Sequence, residues 1–212
     1  MVRLPYRDEQ LNFFKFTSIV KDDFPEGLRQ IFVSLWNNNF GSTEPWDDTV
    51  AVRKSFLAKE GGKTKVPTNE SYENWDCTAL VQAIIHAKCF SVVDSKGHRK
   101  TLSDMYLKPR SLPSGHFHSS VESSTGDKAE TYALAIDQLR LLRNFICHSA
   151  ASEMDKKTFD KYMQYAKEAF TALGLKTDRI DDIGNLNESQ FPTKEVAKLK
   201  QGNRIMKIVL FI

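Results

Sequence analysis

After Asp155 the chain sets Phe159, Tyr162, Met163, Ala166, Phe170 and Leu173 on one helical stripe, and Gly174 ends it. Spacing of this kind buries one side of a helix and leaves the other to charged residues. A strand, whose sides alternate at every residue, cannot use it. The pattern recurs. Leu28, Ile31, Phe32, Leu35 and Trp36 follow i, i+3, i+4, i+7 and i+8 behind Pro25, which suits the first turn of a helix. Tyr132, Ala135, Ile136, Leu139 and Leu142 mark the inner face of a long helix capped by Asp127 and running through Cys147. Shorter helices are expected over 9–20, behind Trp46-Asp47-Asp48-Thr49 with Val52, Phe56 and Leu57, and from Asn74 or Asp76 to about residue 90. No segment before residue 205 alternates convincingly as a strand does. The expected class is all-α.

The stretch 91–127 has little periodicity and is rich in Ser, Gly, Pro and His, with at most a short helical turn near 102–107. Long irregular connections inside compact domains tend to carry function or motion. Beyond Pro192, Thr193 caps a short basic helix to about Gln201. The last eight residues, 205–212, are almost wholly apolar. They fit a strand, a docking helix or the cut end of a longer chain, and fall far short of the roughly 20 residues that span a bilayer. The organisation expected is one helical domain over 1–193, its motif-bearing part at about 127–174, followed by a basic helix and apolar tail over 194–212.

A net charge of +3 permits a nucleic-acid partner without demanding one. A sequence-reading DNA binder carries a sharper basic patch. Cys77, Cys89 and Cys147 form no CxxC pair and no disulfide framework, which fits reduced thiols in a cytoplasmic protein. The first 16 residues lack the apolar centre of a secretory signal, and no stretch is long enough to be a membrane span.

Arg143-Asn144-Phe145-Ile146-Cys147-His148 ends the long helix. Arginine's planar fork suits a phosphoryl group gaining charge, and histidine, with a reference pKa of about 6.5, exchanges protons near neutrality. RNA carries its own nucleophile in the 2′-hydroxyl, so a cleavage site needs only proton transfer and charge stabilisation. The bare pattern is weak: ten arginines and five histidines in 212 residues yield roughly 0.2 chance matches at any one spacing. Arg110 and His116 fit it too, but in a Pro/Gly/Ser loop with no helix to fix their geometry. They are set aside for that reason. Helical context favours Arg143, Asn144 and His148. One histidine does not readily serve as base and acid in the same step, so a two-fold dimer supplying a second is expected. On an ideal helix, residues five apart are turned by about 140°, and the pair shares a face only if the helix ends or bends between them.

Residues 127–174, above all 139–148, resemble the HEPN superfamily of helical ribonuclease domains. The likeness is nearer to the branch found in the DAZ-interacting zinc-finger ubiquitin ligase and its invertebrate relatives. Trp36 with Pro45-Trp46-Asp47-Asp48-Thr49, the Trp75-Asp76-Cys77-Thr78-Ala79-Leu80 helix start and Phe191-Pro192-Thr193 are similar to that branch as well. The resemblance implies a helical bundle that dimerises through its motif helices, with extra N-terminal helices and a long loop insertion here. It implies metal-independent cleavage of RNA through attack of the 2′-hydroxyl, leaving a cyclic phosphate. Arg143 would contact the phosphate, Asn144 would fill the polar position after it, and His148 would transfer protons. A toxin-type branch carries Tyr four residues beyond the histidine; here Ser152 stands there, so that branch's modification chemistry is not expected. The resemblance equally covers a non-catalytic dimerisation or RNA-binding scaffold within a larger protein.

Each of these residues has a plainer reading. Arg143 is a solvated helix residue and His148 a C-terminal cap matched to the helix dipole. Arg140 makes a surface pair with Asp137, although it also lies one turn before Arg143 and would widen a phosphate-binding surface. His116 and His118 sit in a solvated loop with no HxxxH or CxxC to make a metal site, so neither metal nor cofactor is expected. Cys147 is a buried helix cysteine. Lys194, Lys198, Lys200 and Arg204 form a basic face that would track phosphates if RNA binds. No aromatic platform of the RRM type is present.

Overall fold

The computed structural model describes residues 6–110, 112–113, 115–149, 151–187 and 190. Over these the regular structure is helical apart from one two-stranded hairpin: α1 Asp8–Ser18, α2 Phe24–Phe40, α3 Val50–Lys59, α4 Cys77–Ile85, α5 Lys128–His148, α6 Lys156–Ala172 and α7 Asp178–Asn185, with β1 Val92–Val93 antiparallel to β2 Arg99–Lys100. The class is all-α, as expected. The basic helix and tail expected after Thr193, and with them Lys194, Lys198, Lys200 and Arg204, lie outside the described residues.

α1 and α2 are not the separate helices that Pro25 implied. A π-helical turn, Ile19–Asp23, joins them into one continuous path from Asp8 to Phe40. The reason is local. Proline lacks an N–H and crowds the carbonyl four residues back, and a widened turn absorbs both defects without ending the helix. Downstream, α2 packs closely: a side chain at Gly27 would fall 2.9 Å from Leu175 Cδ1.

Phe32 of α2 centres an aromatic cluster. Trp46 meets it edge-on at 4.6 Å between centroids, with Trp75, Phe56 and Phe90 at 5.5, 5.8 and 5.9 Å. The two tryptophan-bearing motifs thus converge in space. Asp48, the one non-glycine with positive φ (58°) among the described residues, stitches them together. Its carboxylate accepts from Tyr72 N–H and Ser71 Oγ and pairs with Arg53 at 3.1 Å. Asp76 caps α4 by accepting from Ala79 N–H. α4 stops at Ile85 rather than near residue 90, because the buried Glu60 carboxylate takes the Lys88 and Cys89 N–H groups that would continue a helix.

α5 is the central helix. Ala133, Leu134, Ala135, Ile136, Leu139 and Leu142 are fully buried, and α4 and α6 both pack on it. Asp127 caps it, accepting from Ala129 and Glu130 N–H. The turn after His148 is fastened to α1, where Met154 N–H donates to Glu9 O and Asn12 Nδ2 donates to Met154 O. Asp155 caps α6, and Gly174, at φ 72°, ends it. α7 has no counterpart in the sequence reading. It is only eight residues long, with Ile180 buried and Ile183 partly so, too short for the two to make a repeating stripe.

The aromatic cluster makes a stability prediction. Truncating Phe32 empties a site bounded by five other rings. Phe32→Ala is expected to lose about 3–5 kcal/mol in urea unfolding; a loss under about 1 kcal/mol would show that the cluster does not hold this half of the molecule.

Candidate functional site

Arg140, Asn144 and His148 recur every fourth residue of α5 and so lie along one side of it. All three line a groove of about 530 Å³ between the end of α5 and the loop that follows Lys108–Arg110. Leu112, Pro113, Phe117, Leu141 and Phe145 give it apolar walls, and His116 completes its polar groups. A mainly apolar cleft with a few convergent polar groups is the usual form of a binding site.

Three successive residues of the loop set this geometry. His116 N–H closes a turn onto Pro113 O at 3.1 Å, with Gly115 at φ 79°, a conformation glycine adopts without strain. Phe117 packs against Tyr162 and Tyr165 of α6 at 5.2 and 5.4 Å. His118 turns inward and is buried, the reverse of the solvated loop residue expected. Its N–H donates to Gln138 Oε1 at 3.0 Å, and its Nε2 lies 2.8 Å from Asp137 Oδ2. His116 therefore stands on an exposed turn anchored immediately downstream.

Asp137 is the shared partner. Its other oxygen accepts from Arg140 Nε at 2.6 Å. The pair anticipated as a surface contact thus has a carboxylate only 5% exposed. Burial alone would push the Asp137 carboxyl up; the hydrogen bonds from His118 and Arg140, with their charges, outweigh it and hold the carboxyl below its ordinary value. Asp137 is therefore ionised at neutral pH and can only accept, which puts the shared proton on His118 Nε2. Beside the groove, and sharing Leu112, Arg140 and Leu141 with it, a second cavity of about 450 Å³ is lined by His86, His118, Arg110 and Lys108. Four of the chain's five histidines thus line these two adjoining cavities.

Arg143 lies elsewhere. α5 runs unbroken through His148, so the two remain about 140° apart around it, and the bend that would have brought them together is not there. The half-buried Arg143 guanidinium donates to Asn144 Oδ1 at 3.3 Å and approaches Asp76, the α4 cap, at 3.9 Å. Asn144 touches both surroundings. Beside Arg143, burial pushes the Cys77 thiol up to about 12 and raises that of Cys147. The nearby guanidinium opposes the shift without cancelling it, so neither cysteine is a ready thiolate nucleophile. Cys147 is half-buried rather than fully so. Arg110, set aside in the sequence, pairs with Glu130 on the wall of the second cavity. His116, set aside with it, shares the groove with His148.

Among the described residues no group of three or more His, Cys, Asp or Glu is placed to hold a metal ion, and no helix is long and apolar enough to cross a membrane. Protein-family models, curated proteins and solved structures were all compared with the chain, and none matches it.

The buried carboxylate sets a pH dependence. Folded Asp137 binds its proton more weakly than the unfolded chain does, so its stabilisation is complete above the ordinary carboxylate range of about 4 and fades as pH falls through its lowered value. Asp137→Ala, which strands His118 and Arg140, is expected to cost about 3 kcal/mol at pH 7. The gap between variant and wild type in urea unfolding is expected to narrow toward pH 3. A gap independent of pH would mean that the carboxylate charge is not what holds the loop.

Proposed function

We propose that this protein is a metal-independent endoribonuclease of HEPN type, acting as a homodimer on single-stranded RNA. One observation carries the reading: His148, Asn144 and Arg140 face a groove that also exposes aromatic edges. His148 is the proton-transfer residue, and Asn144 lines the groove beside it as a hydrogen-bonding group for a bound strand. Phe145, 37% exposed and packed edge-on to Tyr162 at 4.7 Å, offers a surface for an unpaired base. The base takes the 2′-hydroxyl proton, the oxygen attacks phosphorus, and the P–O5′ bond breaks as an acid protonates the leaving oxygen. The products are a 2′,3′-cyclic phosphate and a 5′-hydroxyl.

Arg143 gives the reason for a dimer. It faces away from its own chain's groove and reaches a phosphate there only from a second subunit. A guanidinium aimed at developing charge is worth about 3–4 kcal/mol of barrier, which makes Arg143→Ala as informative as His148→Ala.

The test is cleavage of end-labelled RNA in EDTA. Wild type is expected to release cyclic phosphate ends, with both variants slowed about 10²-fold or more. Mixing the two inactive variants is expected to restore about a quarter of the wild-type rate, since random exchange makes half the dimers mixed and each mixed dimer has one intact cleft of two. Inactivity of folded wild-type dimer on several RNAs would contradict the proposal.

A second reading, a non-catalytic HEPN-like dimerisation or RNA-binding scaffold in a larger assembly, is favoured by one observation. Arg143 is already engaged by Asp76 and Asn144. On this reading RNA binds without being cut, and Arg143→Ala weakens dimerisation rather than turnover.

A further inference from the structure

We infer that His116 is the second proton-transfer residue, so that the acid and base of one cleavage event belong to the same chain. This rests on the ribonuclease reading, and it removes from that reading the need for the partner to lend a histidine.

Cleavage through the 2′-hydroxyl needs a base on one side of phosphorus and an acid on the other. One imidazole does not readily serve both sides in a single step, and a second must stand within the width of a nucleotide. His116 and His148 line the same groove, His148 from the last turn of α5 and His116 from the loop after Arg110. Both are exposed at the surface, where a bound strand can reach them. His116 also stands on a fixed mount. Its turn closes onto Pro113, and its next two residues are anchored on α6 by Phe117 and on α5 by His118. The Asp137 carboxylate that holds His118 also orients Arg140, which lines the same groove two turns before His148 and offers a guanidinium to the phosphates of a strand lying along it.

The step balances. One imidazole takes the 2′-oxygen's proton as the O2′–P bond forms. The other, protonated beforehand, gives its proton to the 5′-oxygen as the P–O5′ bond breaks. The pair ends with its protons exchanged, and water resets it.

The experiment measures His116→Ala, His148→Ala and the exposed His98→Ala on two substrates in EDTA. One is ordinary RNA. The other is a uridine 3′-phosphodiester with a 4-nitrophenyl leaving group, which departs without a proton. On RNA, His116→Ala and His148→Ala are each expected to lose about 10²-fold or more, with His98→Ala unchanged. On the activated ester one of the two is expected to regain near wild-type turnover, which identifies it as the acid, while the other stays slow. Mixing His116→Ala with His148→Ala is expected to restore nothing, because no cleft then holds both rings. Full activity of His116→Ala on RNA overturns the inference and leaves the ribonuclease reading standing if His148→Ala is dead. Restoration on mixing also overturns it, since the rings would then act across the dimer. A wild type inactive on both substrates sinks the ribonuclease reading and this inference together.

Discussion

Asp137 is a carboxylate buried in the middle of the central helix, and the architecture of the groove depends on how its charge is compensated. An isolated ion there would be expelled or neutralised. Two partners prevent that: the ring of His118 from the loop and Nε of Arg140 from the next turn. The arrangement ties an irregular segment to α5 at one point and turns a guanidinium into the groove at another. Gln138 reinforces the first tie through the loop backbone. A loop that lacks secondary structure thereby acquires a defined face, and His116 is on it.

The consequence for mechanism is a division of labour along α5. The side bearing Arg140, Asn144 and His148 looks into the groove, while Arg143 looks toward the start of α4 and the two half-buried or buried thiols. On the reading proposed above, a single chain holds the proton-transfer groups and a second chain brings the Arg143 charge. That arrangement gives a monomer a formed but weak site and makes assembly the step that raises turnover. It also separates two roles that the linear motif runs together, since five residues on an unbroken helix cannot serve one cleft from one chain.

Much of the fold was legible because helices advertise themselves by period. The stripes of α2, α5 and α6, the caps Asp76, Asp127 and Asp155, and the stop at Gly174 are all present where spacing put them. What was hidden has physical causes. The π-helical turn before Pro25 keeps a helix going where proline ordinarily signals a start. Glu60 ends α4 from 28 residues away. α7 is too short for its Ile180 and Ile183 to show a period. In the site, Asn144 and His148 were legible from the motif and Arg140 from its place one turn before it, although its spacing of four from Asn144, and not its nearness to Arg143, is what brings it to the groove. His116 and His118 were set aside for want of a helix around them. In an extended segment alternate residues separate, and here one lines the groove while the other is pinned inside by a contact 19 residues distant. No local pattern carries that information.

The most direct measurement is histidine NMR of the wild-type protein titrated with a short RNA whose scissile ribose lacks the 2′-hydroxyl, so that it binds without being cut. The ring signals of His116 and His148 are predicted to move together, at one RNA concentration, while that of His98, on the hairpin and outside the groove lining, stays still. Movement of His148 without His116, or equal movement of His98, would contradict a groove in which both rings meet the same strand.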